Sequence, residues 1–82
     1  MEIRSKSLEK AFGRRLQVKR LERGLSQEEL AHRSGLHRTY ISQLERGLKS
    51  PSLATIYALA SVLEEDAGSL VSALVPKRNG RR

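Results

Sequence analysis

Three glycines, Gly24, Gly35 and Gly47, do most to limit what this chain can fold into. Each follows a segment of helical periodicity and supplies the left-handed residue with which helices prefer to end. Gly35 and Gly47 therefore bracket a helix of about two and a half turns. Between Gly24 and Gly35 stands Ser26-Gln27-Glu28-Glu29, a capping box in which Ser26 caps the Glu29 amide and the Glu29 carboxylate returns to the Ser26 amide. The helix it opens runs to about Ser34, with Leu30 and Ala31 inward. The next begins almost at once, near His37 or Arg38, and runs to Arg46 with Ile41 and Leu44 inward.

Three more helices complete an all-α reading. The first runs from near Ser7 to about Arg23, with Phe12 and Leu16 on its inner face at i, i+4. Gly13 inside it is about 1 kcal/mol worse than Ala for the helix, and its expected use is close backbone approach. The fourth opens at Pro51-Ser52, with Ser52 as N-cap and Leu53, Ile56, Ala60 and Leu63 as its apolar stripe. The last runs from an Asp66 N-cap to Pro76 and carries Leu70, Val71, Leu74 and Val75. No segment alternates apolar and polar residues over strand length. The expectation is one compact five-helix domain over residues 1–76, followed by a disordered basic tail over 77–82.

An 82-residue chain with 38% apolar and 4% aromatic residues has a small aliphatic core and is marginal unless something supports it. The absence of Cys excludes disulfides and Cys-ligated zinc. Tight helix packing or a partner subunit remains. Sixteen Lys+Arg against nine Asp+Glu give +7. Four of the positives (Lys77, Arg78, Arg81, Arg82) lie in the last six residues, leaving twelve against nine, or +3, on residues 1–76. That balance suits a polyanion. The longest unbroken apolar run, Ile56–Ala60, is far below the ~20 residues of a membrane span. The N-terminus has no apolar signal core. A soluble, intracellular protein without a membrane role is expected.

Two short helices joined by so tight a turn must cross steeply, as in a helix-turn-helix, whose second helix projects into the DNA major groove. The segments Gly24-Leu25-Ser26-Gln27-Glu28-Glu29-Leu30-Ala31, Gly35-Leu36-His37-Arg38-Thr39-Tyr40-Ile41-Ser42-Gln43-Leu44-Glu45-Arg46-Gly47 and Pro51-Ser52-Leu53 resemble the Cro/C1-type, or XRE-like, helix-turn-helix family. The resemblance covers about residues 12–71 and implies a lambda-repressor-like fold. The stretch from His37 to Ser42 is also similar to restriction–modification controller proteins, stand-alone regulators of about this length.

Residue chemistry and resemblance together assign roles. The amides and dipole at the start of the Gln27 helix favour a phosphate, and the resemblance places the Gln27 side chain there too. On the next helix Arg38, Thr39, Ser42 and Gln43 lie away from the Ile41–Leu44 stripe. The resemblance puts base reading at Arg38, Thr39 and Gln43. Arg38 suits guanine O6/N7, Gln43 suits adenine N6/N7, and Thr39 suits a thymine methyl or a phosphate; each has a phosphate contact as its alternative. Tyr40 either touches sugar or a thymine methyl, or packs half-buried. His37, at the cap position, puts no negative charge beside phosphate. Arg46 and Lys49 are phosphate clamps or solvated surface. The resemblance pairs Arg20 with Glu45 to orient the recognition helix.

Two departures from the family pattern stand out. Lys19 occupies a position usually apolar, flanked by Val18 and Leu21, and Glu64-Glu65 replace a Gly and an apolar residue after the fourth helix. The resemblance favours a twofold homodimer through Leu70, Val71, Leu74 and Val75, placing two recognition helices about 34 Å apart on a palindrome. The function expected is sequence-specific binding of double-stranded DNA in transcriptional control. The alternatives are an antitoxin- or coactivator-type module with a protein partner, and a polyanion binder driven by the tail. No catalytic set is present, and no cofactor is implied. Two histidines, His32 and His37, without Cys or a third strong ligand, do not make a metal site.

Overall fold

The computed structural model of the protein describes residues 5–74. They form α1 (Ser5–Glu22), α2 (Gln27–Ser34), α3 (Arg38–Glu45), α4 (Leu53–Leu63) and α5 (Ala67–Val71). Among the described residues there is no strand. Val75 and the basic tail over 77–82 lie outside them.

The local signals act where their chemistry requires. Ser26 accepts from the Glu29 amide at 3.0 Å and the Glu29 carboxylate accepts from the Ser26 amide at 2.8 Å, completing the capping box. These bonds hold the Glu29 carboxyl below its ordinary pKa. Ser52 caps α4 through the Thr55 amide at 3.0 Å. Gly35 and Gly47 have φ of 73° and 72°, the left-handed region that disfavours a Cβ. Gly35 terminates α2, with its amide directed to the Ala31 and His32 carbonyls.

The core is aliphatic. Leu16, Leu30, Ile41, Leu44, Leu59, Leu63 and Leu70 are fully buried, with Phe12 closing one side. Each such Leu or Ile contributes roughly 1.5–3 kcal/mol of transfer free energy. α1 packs on α3 and α5, α2 on α3 and α4, and α4 on α5. Within α1 the inward residues are Phe12, Leu16 and Arg20, at i, i+4 and i+8.

Two expectations need correction. The apolar stripe of α4 does not begin at Leu53, which is 71% exposed; Ala60 and Leu63 are buried as expected, Ile56 packs partly against the core, and Thr55 and Leu59 are buried as well. The buried face follows the i, i+4, i+8 row of residues 55, 59 and 63, and Leu53 lies off that row. The last helix does not extend to Pro76. It stops at Val71, because Ser72 is extended (ψ 140°) and Ala73 has φ 57°. Asp66 is its N-cap by position but makes no side-chain capping bond. Leu70, once seated in the core, anchors this short helix without further turns.

The two departures from the family pattern meet in space. Glu64 adopts the left-handed conformation (φ 56°) that ends α4. Lys19 Nζ lies 3.4 Å from Glu65 Oε2, and Arg23 lies 3.3 Å from Glu64. A charge on the inner edge of α1 is thus matched by charges on the α4–α5 corner. Val18 and Leu21, which flank Lys19, remain exposed.

Gly13 supplies the close approach expected of it. A Cβ there would collide with the Leu44 carbonyl and lie 2.7 Å from the Glu45 carbonyl oxygen. Helix propensity alone makes Gly13→Ala stabilising by about 1 kcal/mol. Overpacking against rigid backbone acts the other way, by about 1–3 kcal/mol. Gly13→Ala is therefore expected to lower the urea midpoint; a raised midpoint would show that α1 does not press on α3 here.

Candidate nucleic-acid interface

The site is built on two helix starts. α2 begins at Gln27 with the capping box committed to the Glu29 amide and with the Leu30 amide bonded to the Ser26 carbonyl. Helix geometry leaves the Gln27 and Glu28 amides directed outward at the positive end of the dipole. α3 begins after His37, whose backbone is extended and whose side chain makes no capping bond. Leu36 bonds back to Ala31 at 3.0 Å, so only Gly35, Leu36 and His37 separate the helices.

Burial sorts α3 cleanly. Ile41 and Leu44 are fully inside; Arg38 and Thr39 are exposed; Ser42 and Gln43 are half-buried. Arg38, Thr39, Ser42 and Gln43 therefore share the face away from the core. Tyr40 is half-buried against the core, its hydroxyl 3.3 Å from Thr55 Oγ1. Ser52 donates to the same Thr55 oxygen at 3.0 Å. This cluster links α3 to the start of α4 and positions the intervening loop. Arg46 and Lys49 are exposed at the end of α3 and in that loop.

Arg20 and Glu45 lie together and buried. Arg20 Nε and Nη2 donate to the two Glu45 oxygens at 2.6 and 2.9 Å. The side chains are 9% and 2% exposed. The hydrogen bond to Glu45 raises Arg20 above its ordinary pKa against the opposing effect of burial, so the guanidinium remains charged. Its third donor reaches the Leu25 carbonyl at 2.8 Å, and Gln27 Nε2 donates to Glu45 Oε1 at 3.0 Å. The Gln27 side chain is thus tied to the ion pair, leaving the α2 amides as the outward groups at that end.

The proposed dimer residues separate. Leu70 is fully buried in the core of the single chain, whereas Val71 is 41% exposed and Leu74 packs partly against the core. Sequence reasoning did not bring Lys10, Arg14 and Gln17 to this side of the molecule. They line a cleft with Glu45 and Arg46 at the end of α3. Gly13 was the available signal, because a helix crossing at that position carries residues 10, 14 and 17 past the end of its neighbour. Among the described residues no His, Asp or Glu cluster has metal-binding geometry, and no helix is long and apolar enough to cross a membrane.

Two short helices joined by a three-residue turn, the second presenting a polar face, define a helix-turn-helix protein. The family model described as Helix-turn-helix matches residues 16–70, from α1 to α5. The chain belongs to that family. Among solved structures, the restriction-modification controller protein C.AhdI from Aeromonas hydrophila is 44% identical, with a TM-score of 0.74 over 76% of this chain and 94% of that one. The uncharacterized HTH-type transcriptional regulator y4dJ of Sinorhizobium fredii is 50% identical over 44 residues, 54% of this chain and 57% of its own. The immunity repressor protein of Bacillus phage phi105 is 41% identical over 63 residues, 77% of this chain and 41% of its own. The chain spans about half the length of these curated relatives.

Removing one partner of the buried pair leaves a charge without compensation. Glu45→Ala should destabilise by about 3–5 kcal/mol. An Arg20→Met/Glu45→Leu double variant should recover most of that loss, since an apolar pair of similar volume carries no desolvation penalty. Chemical denaturation of the single and double variants checks this. Additive losses would mean that the two side chains are not coupled.

Proposed function

We propose that the protein is a DNA-binding transcriptional regulator of the controller and repressor type, which reads a palindromic double-stranded operator as a homodimer. One observation carries the reading: Arg38 and Thr39 stand exposed at the start of α3, followed one turn later by Ser42 and Gln43 on the same face. A helix with this polar face fits the major groove, where bidentate Arg and Gln contacts distinguish guanine and adenine. In this reading Arg38 and Gln43 take those bases and Thr39 a thymine methyl. The amides at the start of α2 take a phosphate. Arg46, Lys49 and Ser42 add backbone or groove-edge contacts, with His37 at the helix entrance and Tyr40 holding the edge of the helix in place. The net charge of +7 favours the encounter. The similarity to a restriction-modification controller and to a phage immunity repressor supports the regulatory role, as does the family membership.

The dimer face of this proposal is formed by Val71 and Leu74, with Val75 beyond the described residues and Leu70 holding the helix from inside. Ile56, Val71 and Leu74 line one apolar groove with Leu8 and Phe12, which adds to the surface available to a second copy. Occupancy of the operator then depends on protein concentration through dimerisation. Action in the cytoplasm, without catalysis, follows from this role.

Selection from a random duplex pool should enrich a palindrome. Arg38→Ala should relax one position per half-site, costing about 1–3 kcal/mol there. Enrichment of no sequence would refute base reading by α3. Val71→Glu should shift sedimentation from dimer to monomer and weaken operator binding while leaving the thermal transition in place; a variant that remains dimeric would move the interface elsewhere.

A further inference from the structure

The cations of α1 and of the turn that follows it fall into two sets. Towards its C-terminal half each has a partner. Arg15 donates to the Ser69 carbonyl at 2.7 Å, Lys19 faces Glu65, Arg20 holds Glu45, and Arg23 faces Glu64. Nearer the N-terminus Lys6, Lys10 and Arg14 are exposed and, among the described residues, form no ion pair or side-chain hydrogen bond; Lys10 and Arg14 lie one turn apart. With Gln17, Glu45 and Arg46 they line an open cleft of about 310 Å³.

The cleft lies where α1 crosses the end of α3. Gly13, between Lys10 and Arg14, presses on the Leu44 and Glu45 carbonyls, and a Cβ on Gly47 would lie 2.7 Å from Lys10 Cγ. Glu45 is a shared wall. It lines the cleft, and its Oε1 accepts from Gln27 at the start of α2. The cleft thus lies at the C-terminal end of the helix that presents Arg38 and Gln43. The Glu45 charge is matched by Arg20, so Lys10, Arg14 and Arg46 remain without a protein counter-charge. The negative end of the α3 dipole offers only about half a unit, leaving more than two positive charges around one concavity. Such a cluster disfavours the free protein and favours an anion with several charges at fixed spacing.

We propose that Lys10, Arg14 and Arg46, with Gln17 as a neutral donor, form a second phosphate-binding site for the backbone of duplex DNA flanking the bases read by α3. The proposal rests on the DNA-binding reading above. Arg14 and Arg46 present planar forks that match two phosphate oxygens, and Lys10 adds a point charge. Phosphate contacts of this kind set the orientation of the protein on the duplex and carry no base information.

The test is Lys10→Ala/Arg14→Ala, titrated against the palindrome selected by the wild type and against a random-sequence duplex, from about 50 to about 200 mM NaCl. Two lost phosphate contacts should flatten the slope of log K against log salt by about 1.8, so that the advantage of the wild type shrinks about twelvefold across that range. The flattening should be equal on both duplexes, with the selected bases unchanged. Arg33→Ala, at an exposed position beside Glu29 and His32, removes a positive charge away from the cleft and should leave the slope in place. Lys10→Gln/Arg14→Gln, which keeps part of the aliphatic stems, should behave like the alanine pair. A double variant with the wild-type slope on both duplexes overturns the proposal, as does one that alters the selected bases. If the wild type selects no sequence, the operator reading fails, and the slopes on random duplex still decide the phosphate site.

Discussion

The crossing of α1 over the end of α3 is the contact on which the rest of the molecule depends. Gly13 brings the two backbones close enough for Arg20, two turns later, to reach Glu45 and the Leu25 carbonyl together. Gln27 then attaches the start of α2 to the same carboxylate. One buried ion pair thus joins three helices. A pair of this kind adds little net stability, because desolvation offsets most of its attraction. Its effect is geometric: with Glu45 held, α3 has a single orientation relative to α2, and Arg38 and Thr39 leave the body of the protein in one direction.

Charge is distributed around that crossing in a consistent way. On the α5 side of α1 the cations are matched, Lys19 by Glu65 and Arg23 by Glu64. Exposed or partly exposed pairs contribute only about 0–1 kcal/mol each, so their main consequence is local neutrality at the α4–α5 corner. Glu65 shows it further: a hydrogen bond from Ser69, with Lys19 adding to it, holds its carboxyl below the ordinary pKa. On the α3 side Lys10, Arg14, Arg46 and Lys49 are exposed. Among the described residues positive charge is thus less matched beside α3 than at the α4–α5 corner, which gives an approaching polyanion a preferred orientation.

The departures at Lys19, Glu64 and Glu65 show how a family pattern is kept while its chemistry changes. A charge on the inner edge of α1 would be costly alone. The corner facing it carries the opposite charge, and Glu64 adopts the left-handed conformation that a Gly would favour. The helix end is preserved because the Glu64 amide reaches back to the Ala60 and Ser61 carbonyls. Carbonyl satisfaction, with the Arg23 contact, offsets the strain of a side chain at positive φ.

Local interactions were legible in the residues alone. The capping box at Ser26, the cap at Ser52, the glycine stops and the inward pair Ile41 and Leu44 are set by neighbours within one or two turns, so the five helices and the exposed face of α3 could be read directly. Family resemblance, rather than spacing, indicated the Arg20–Glu45 pair. Tertiary packing alone decided the remainder. It added Thr55 and Leu59 to Ala60 and Leu63 on the buried face of α4 and left Leu53 outside, because helical periodicity defines a stripe but not which side of it meets a neighbour. It ended α5 at Val71 with Leu70 in the core, tied the Gln27 side chain to Glu45, and brought Lys10 and Arg14 beside Arg46. Those outcomes depend on contacts between residues far apart in the chain, whose distances are set only when α1 closes over α3.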